Sequence, residues 1–374
     1  MTAFVDNFFF YCLGVLAVPA AVLGLAGKRL WQYGLFASAV FILLIYGAPG
    51  GGIIYLLAFV AWTYAATAIY SRLKARQKPL VFGAFLALTL IPLALAKSLG
   101  AFRFVGISYM TFRAMQYIID IKKKKIDRAA LSELTYFICF FPALSSGPID
   151  RRRRFAADMR ALRTRGEYLE LLRDGIWKFA AGALYSFAIA PAIDTFALAP
   201  LASKSGTFPI IGYAYAYTLY LFFNFAGYSS LAVGTSYIFG IKAPDNFNMP
   251  FLSRDLKEFW TRWHISLSSF FRDFIYGEFV AGRLKKRTFK NPRTASYIGL
   301  MLTMLVMGAW HGYELRFIAY GAYHGIFLCV NEWLDVNSKC FKRLKKHAFG
   351  SVACALFTFH AVAFGMLIFS GKLF

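Results

Sequence analysis

The chain has 374 residues, 59% of them hydrophobic and 19% aromatic, with 16% charged and a mean hydropathy of +0.54. Soluble globular domains carry about a quarter charged residues, so this composition excludes them. The formal net charge of +24 is gathered in short clusters between apolar runs, which is a pattern of membrane loops and not of a nucleic-acid surface.

In chain order the apolar runs include 8–27, 51–70, 79–97, 295–310 and 351–369. About 20 apolar residues span a hydrocarbon core of ~30 Å as a helix, and about ten to eleven such segments are expected. The fold class read from them is all-α, a polytopic integral membrane protein with residues 1–374 as one domain. The first run has only Asp6 before it and no basic flank, so it reads as a span and not as a cleavable signal. Basic clusters fall at 28–29, 72–78, 122–125, 151–154, 283–290 and 339–346, whereas loops 48–52, 203–209 and 312–315 are nearly neutral. With basic loops on the cytoplasmic side, the N-terminus lies outside.

That walk leaves segment 131–149 between two basic clusters. An odd number of crossings would put one cluster outside, so the segment is expected to be re-entrant or a tight hairpin. Pro142, Ser145, Ser146, Gly147 and Pro148 suit broken backbone, which is tolerated at membrane depth only where protein or water shields it. The five cysteines show no paired spacing and no metal pattern, and read as small buried hydrophobes.

The stretch RDLKEFWTRWHISLSSFFRDFI (254–275) places seven charges in an otherwise greasy chain. Read as one helix, it gathers Leu256, Trp260, Trp263, Leu267, Phe270, Phe271 and Phe274 on an apolar stripe. Arg254, Glu258 and Arg262 form an ion-pair ladder on the other face, and Asp255 caps the start. His264 sits at the edge of the stripe, one turn from Trp260 and Ser268. By spacing alone it is either a hydrogen-bonded core histidine or a functional one; ionisable groups at membrane depth raise the second reading.

His311 closes the run LTMLVMGAWH between Gly308 and Gly312, which let a backbone or a substrate approach closely. A neutral imidazole there suits a general base. His324 and His360 read as packed in the core, and His347 as solvated.

His264 in EFWTRWHISLSSFFRDFIY and His311 in MGAWHG together resemble the membrane-bound O-acyltransferase (MBOAT) family. GISYMTFRAMQYIIDI (106–121), FFPALSSGPIDRRRRF (140–155) and residues 223–260 are similar to the branch of that family that D-alanylates teichoic acid. The resemblance covers about residues 100–325. It implies a ring of membrane helices around a thinned centre, crossed by a tunnel. It implies transfer of D-alanyl groups from a phosphopantetheine thioester on an acidic carrier protein, with no bound cofactor or metal, toward a cell-envelope polymer, in the cell membrane. A further membrane-anchored protein of the same system is an implied partner. His311 is then the catalytic residue and His264 the second family histidine, with Asn224, Trp310 and Ser268 as candidate substrate contacts. Lys285, Lys286 and Arg287 in the basic loop 282–293 are candidate docking residues for the carrier.

One stretch departs from the wider pattern. Many relatives in the alginate O-acetyltransferase branch read FDFSGYSDMA where this chain has FNFAGYSSLA, so Asn224 and Ser230 replace acids. An Asn orients a histidine without lending it full charge stabilisation. O-acetyl transfer to an exopolysaccharide is the rival enzyme reading. A polytopic transporter is the rival of another class, though the inverted repeats common among transporters are not found.

Overall fold

The computed structural model describes residues 3–47, 52–100, 102, 104–145 and 147–374, and among these every regular element is helical. Helices follow from the solvent: in lipid each backbone N–H and C=O needs an internal partner. In chain order they are α1 (Asn7–Leu25), α2 (Trp31–Tyr46), α3 (Ile53–Arg72), α4 (Pro79–Ser98), α5 (Ile107–Lys122), α6 (Leu131–Cys139), α7 (Arg152–Arg160) and α8 (Arg165–Leu184). Helix α8 runs on through π-helical turns to Ala202. Then follow α9 (Thr207–Ile238), α10 (Leu256–Arg262), α11 (Ile265–Phe271), α12 (Gly277–Lys285), α13 (Pro292–His311), α14 (Leu315–Asn337), α15 (Lys339–Lys346) and α16 (Ala348–Ser370).

Five helical stretches among the described residues are long and apolar enough to cross a membrane: α1, α3, α4, Arg165–Ala202 and α16. Helix α2 is apolar but shorter. Helices α9, α13 and α14, with 32, 20 and 23 residues, have the length to cross but are not among the five. The chain divides into two compact units, one of residues 1–183 and 228–244, the other of 184–227 and 245–374.

The first unit is organised around a broken segment. Helix α6 ends after nine residues, about 14 Å at 1.5 Å per residue, too short for a ~30 Å core. A 3-10 turn at Phe141–Ala143 follows, with both pieces buried except at the start of α6. Residues 144–145 and 147–150 are irregular, and Ser146 lies outside the described residues, as do residues 48–51 of the neutral loop. This broken stretch is the one expected to be re-entrant.

Its carbonyls are collected by one side chain. Arg113 on α5, 1% exposed, donates to the carbonyls of Phe137 and Ile138 (3.2 Å each), Ala143 and Pro148 (3.4 Å). A buried guanidinium with five fixed donors can do this where a backbone ladder is missing. Gly106 (φ 81°) lies so close that an added Cβ would stand 2.1 Å from the Leu144 carbonyl oxygen, so the chain entering α5 needs glycine. Ser145 hydrogen-bonds to the Tyr228 hydroxyl. Arg152, the second arginine of the 151–154 cluster, is buried and pairs with Asp120 (2.7 Å) and Glu133 (2.8 Å). Glu133 also takes Arg160 at 2.6 Å. This arginine of the basic cluster is therefore a structural ion pair.

Candidate active site

In the second unit, Asp255 caps α10 as expected, its Oδ1 accepting from the Glu258 N–H at 2.8 Å. Glu258 pairs with Arg254 (3.0 Å) and Arg262 (2.7 Å), the ladder read from the sequence. The single helix read over 254–275 is corrected, because α10 stops at Arg262. The 246–248 segment takes the backbone groups that would continue it. Asn248 N–H donates to Arg262 O (3.0 Å), Ile265 N–H to Asn246 O (2.9 Å), and Ser266 N–H to the Asn246 side chain (3.2 Å).

The break falls on the histidine. Trp263 is extended and His264 is left-handed (φ 43°, ψ 52°), opening α11 as its N-cap residue. A non-glycine residue there costs of order 1–3 kcal/mol and persists only where its surroundings fix it. The stripe residues from Leu256 to Phe271 are buried, and Phe274 is half-buried on a π-helical turn.

His264 and His311 line one cavity of about 80 Å³, together with Phe225, Trp260, Tyr320 and Phe369. The Phe225 ring meets His264 edge-on at 4.6 Å between centroids. His311 has Trp310 at 4.6 Å and Phe369 at 4.9 Å. The two histidines, 47 positions apart in sequence, thus share an enclosure walled by aromatic rings. His264 is 5% exposed and His311 half-buried.

Gly308 and Gly312 flank His311 for packing. An added Cβ on Gly308 would stand 2.3 Å from the Phe317 carbonyl oxygen, and one on Gly312 2.6 Å from the Phe317 ring. The close neighbour expected from the sequence is the backbone and ring of α14. Met307, one residue earlier, also faces the cavity.

A second cavity of about 410 Å³ shares Trp260 and Met307 with the first. Ser268 lines this one, its Oγ donating to Trp263 O at 3.0 Å, with Tyr276, Thr303 and Met304. Arg272, Lys257 and Glu332 give it a charged edge. Trp310 contacts the His311 ring but does not line the 80 Å³ cavity, and Asn224 is exposed on α9. Lys285, Lys286 and Arg287 are all exposed at the end of α12. His324 is fully buried against Trp260 and Tyr320, as expected. His360 is a correction: its face of α16 is exposed, and its Nδ1 is hydrogen-bonded to the Tyr215 hydroxyl at 2.7 Å. It does not pack inside because its helix face falls on the outer side.

The profile of the membrane-bound O-acyltransferase family matches residues 68–370, which include every residue of both cavities. The chain belongs to the membrane-bound O-acyltransferase family. It is therefore an acyltransferase with membrane helices, and it is similar to teichoic acid D-alanyltransferases. That of Bacillus subtilis is 40% identical over 100% of this chain and 99% of its own. That of Streptococcus thermophilus is 36% identical over 98% of this chain and 94% of its own. A probable alginate O-acetylase of Pseudomonas syringae is 33% identical over 72% of this chain and 49% of its own.

Sequence reasoning about this O-acyltransferase missed Phe225, Tyr320 and Phe369 as walls of the site. Tyr320 lies one helical turn before His324, so a helical reading of AYGAYHGIF could have found it. Phe225 and Phe369 carry no such signal, because only the folded chain brings α9 and α16 to the histidines.

Proposed function

We propose that this acyltransferase moves D-alanyl groups from a carrier-protein phosphopantetheine thioester to a hydroxyl of teichoic acid or a related envelope polymer. The observation that carries this is the shared enclosure of His264 and His311 in a chain that aligns end to end with teichoic acid D-alanyltransferases. The alginate O-acetylase relatives align over less of the chain, so the acetyl reading has less support.

His311 acts as the base that takes the acceptor hydroxyl proton. The oxygen attacks the thioester carbonyl, the tetrahedral intermediate collapses, and the departing thiolate takes the proton back from the imidazolium. His264 faces the carbonyl and orients it or stabilises the developing oxyanion. A thioester is activated enough to need no metal. The aromatic walls exclude water, which would otherwise hydrolyse the donor. The larger cavity receives the pantetheine arm, with Ser268 along its wall; Asn224 and Trp310 serve the acceptor side or orient His311. The carrier docks at Lys285, Lys286 and Arg287, and a membrane-anchored protein of the same system completes delivery.

The protein sits in the cell membrane with its N-terminus outside. Single cysteines are expected to label from outside at position 204 and from inside at 124, 153 and 286. The deciding experiment supplies reconstituted protein with D-alanyl and with acetyl carrier thioester and measures base-labile ester on a polyol-phosphate acceptor. D-alanyl ester formed by wild type and lost in His311→Ala supports the proposal. Equal use of the acetyl donor rejects the D-alanyl assignment.

A further inference from the structure

A third cavity, of about 560 Å³ and separate from the histidine enclosure, lies where α10 meets α15. Five basic side chains line it, Arg254, Lys257, Lys342, Lys345 and Lys346, against three acidic ones. The acids are engaged by only part of the set. Lys345 bridges Asp255 (2.8 Å) and Asp335 (2.5 Å), Lys257 reaches Glu332 (2.7 Å) and Asp335 (3.7 Å), and Arg254 pairs with Glu258 (3.0 Å). Lys342 and Lys346, one turn apart on α15, remain exposed, with Lys342 Nζ donating to the Val336 carbonyl at 3.2 Å. The cavity therefore has a neutralised floor and a cationic rim.

Its place in the chain indicates what fills it. Helix α15 is strongly amphipathic and basic, and it turns directly into α16, one of the five apolar spans. The corner is tight: an added Cβ on Gly350 would stand 2.3 Å from the Leu344 carbonyl oxygen. Just past the corner, Phe349 (81% exposed) and Val352 (59%) present an apolar face beside the cationic rim. A soluble acidic protein would match the rim alone. An anionic phospholipid matches both features, with its phosphate at the rim and its chains along α16.

We propose that this cavity is a binding site for the headgroup of an anionic phospholipid, held by Lys342 and Lys346. Each lysine near an anionic surface contributes about a fivefold factor in binding. Loss of both is expected to weaken retention about thirtyfold.

The test uses full-length protein in neutral detergent, titrated with phosphatidylglycerol, with phosphatidylcholine, or with inorganic phosphate. Bound lipid is counted by native mass spectrometry, and Tm is followed in parallel. Phosphatidylglycerol is expected to be retained and to raise Tm, phosphatidylcholine and phosphate to do neither. Lys342→Gln/Lys346→Gln is expected to lose the phosphatidylglycerol effect while keeping the lipid-free Tm and the acyl transfer measured in phosphatidylcholine. Both lysines are exposed and lie outside the two inner cavities, so the fold tolerates the change. Equal retention of the two lipids, an undiminished effect in the double variant, or full reproduction by phosphate would overturn the proposal. So would protection of the two lysines from amine labelling by an acidic carrier protein but not by phosphatidylglycerol.

Discussion

The two units bury ionisable groups in opposite ways. In the first, Arg113 and Arg152 are held by protein groups: carbonyls of a broken segment take the terminal nitrogens of one, and two carboxylates hold the other. In the second, His264 and His311 open onto a cavity lined mostly by rings. A buried charge whose partners are all protein groups has its interactions spent on holding the fold. An imidazole that lines a cavity is also within reach of what enters it. Under the proposed function the two arginines hold the fold and the two histidines do the chemistry, a division that burial alone does not make.

Four measurements break or sharpen that contrast. The largest effect is expected for His311→Ala, which should lower acyl transfer by about 10²–10⁴-fold with Tm nearly unchanged. Normal transfer by this variant would remove the functional half of the comparison. Arg152→Met should do the reverse, lowering stability by about 3–5 kcal/mol because Asp120 and Glu133 lose their buried partner. Thermal unfolding and membrane yield read this out, and surviving protein should keep its rate per folded molecule.

A finer comparison sits between two adjacent residues. Trp263→Ala should cost about 3–5 kcal/mol in lost packing, and, since Trp263 also walls the histidine cavity, it should lower Tm and activity together. His264→Asn accepts the left-handed backbone that Asn tolerates, so it should keep Tm and lose activity. If His264→Asn instead melts early while remaining active, His264 belongs with the structural set. The smallest effect is expected from Lys285→Glu/Lys286→Glu/Arg287→Glu. Carrier-dependent transfer should fall severalfold at low salt and converge with wild type as salt rises, since exposed charges act mainly on association. An unchanged salt response would place docking elsewhere.

Much was legible from residues alone. The helical membrane class follows from apolar run length, since lipid permits little else. The cap at Asp255 and the Arg254–Glu258–Arg262 ladder follow from three- and four-residue spacing, because helical neighbours are fixed locally. The broken backbone after α6 was signalled by proline, glycine and flanking charge. His264 and His311 were singled out by residue type and motif, though not by any spacing that joined them.

Tertiary structure decided the rest, for one physical reason: long-range partners override local preference. The stretch 254–275 reads as a continuous helix, yet Asn246 and Asn248 take the groups that would continue it, and the chain breaks at His264. Arg152 reads as one more loop cation until Asp120 and Glu133, 32 and 19 positions away, close around it. Sequence by itself determined the solvent and the helical class, and it singled out the two histidines. Only the packing of α9, α10, α13, α14 and α16 put those histidines into one enclosure, because the walls come from residues with no periodic relation to one another.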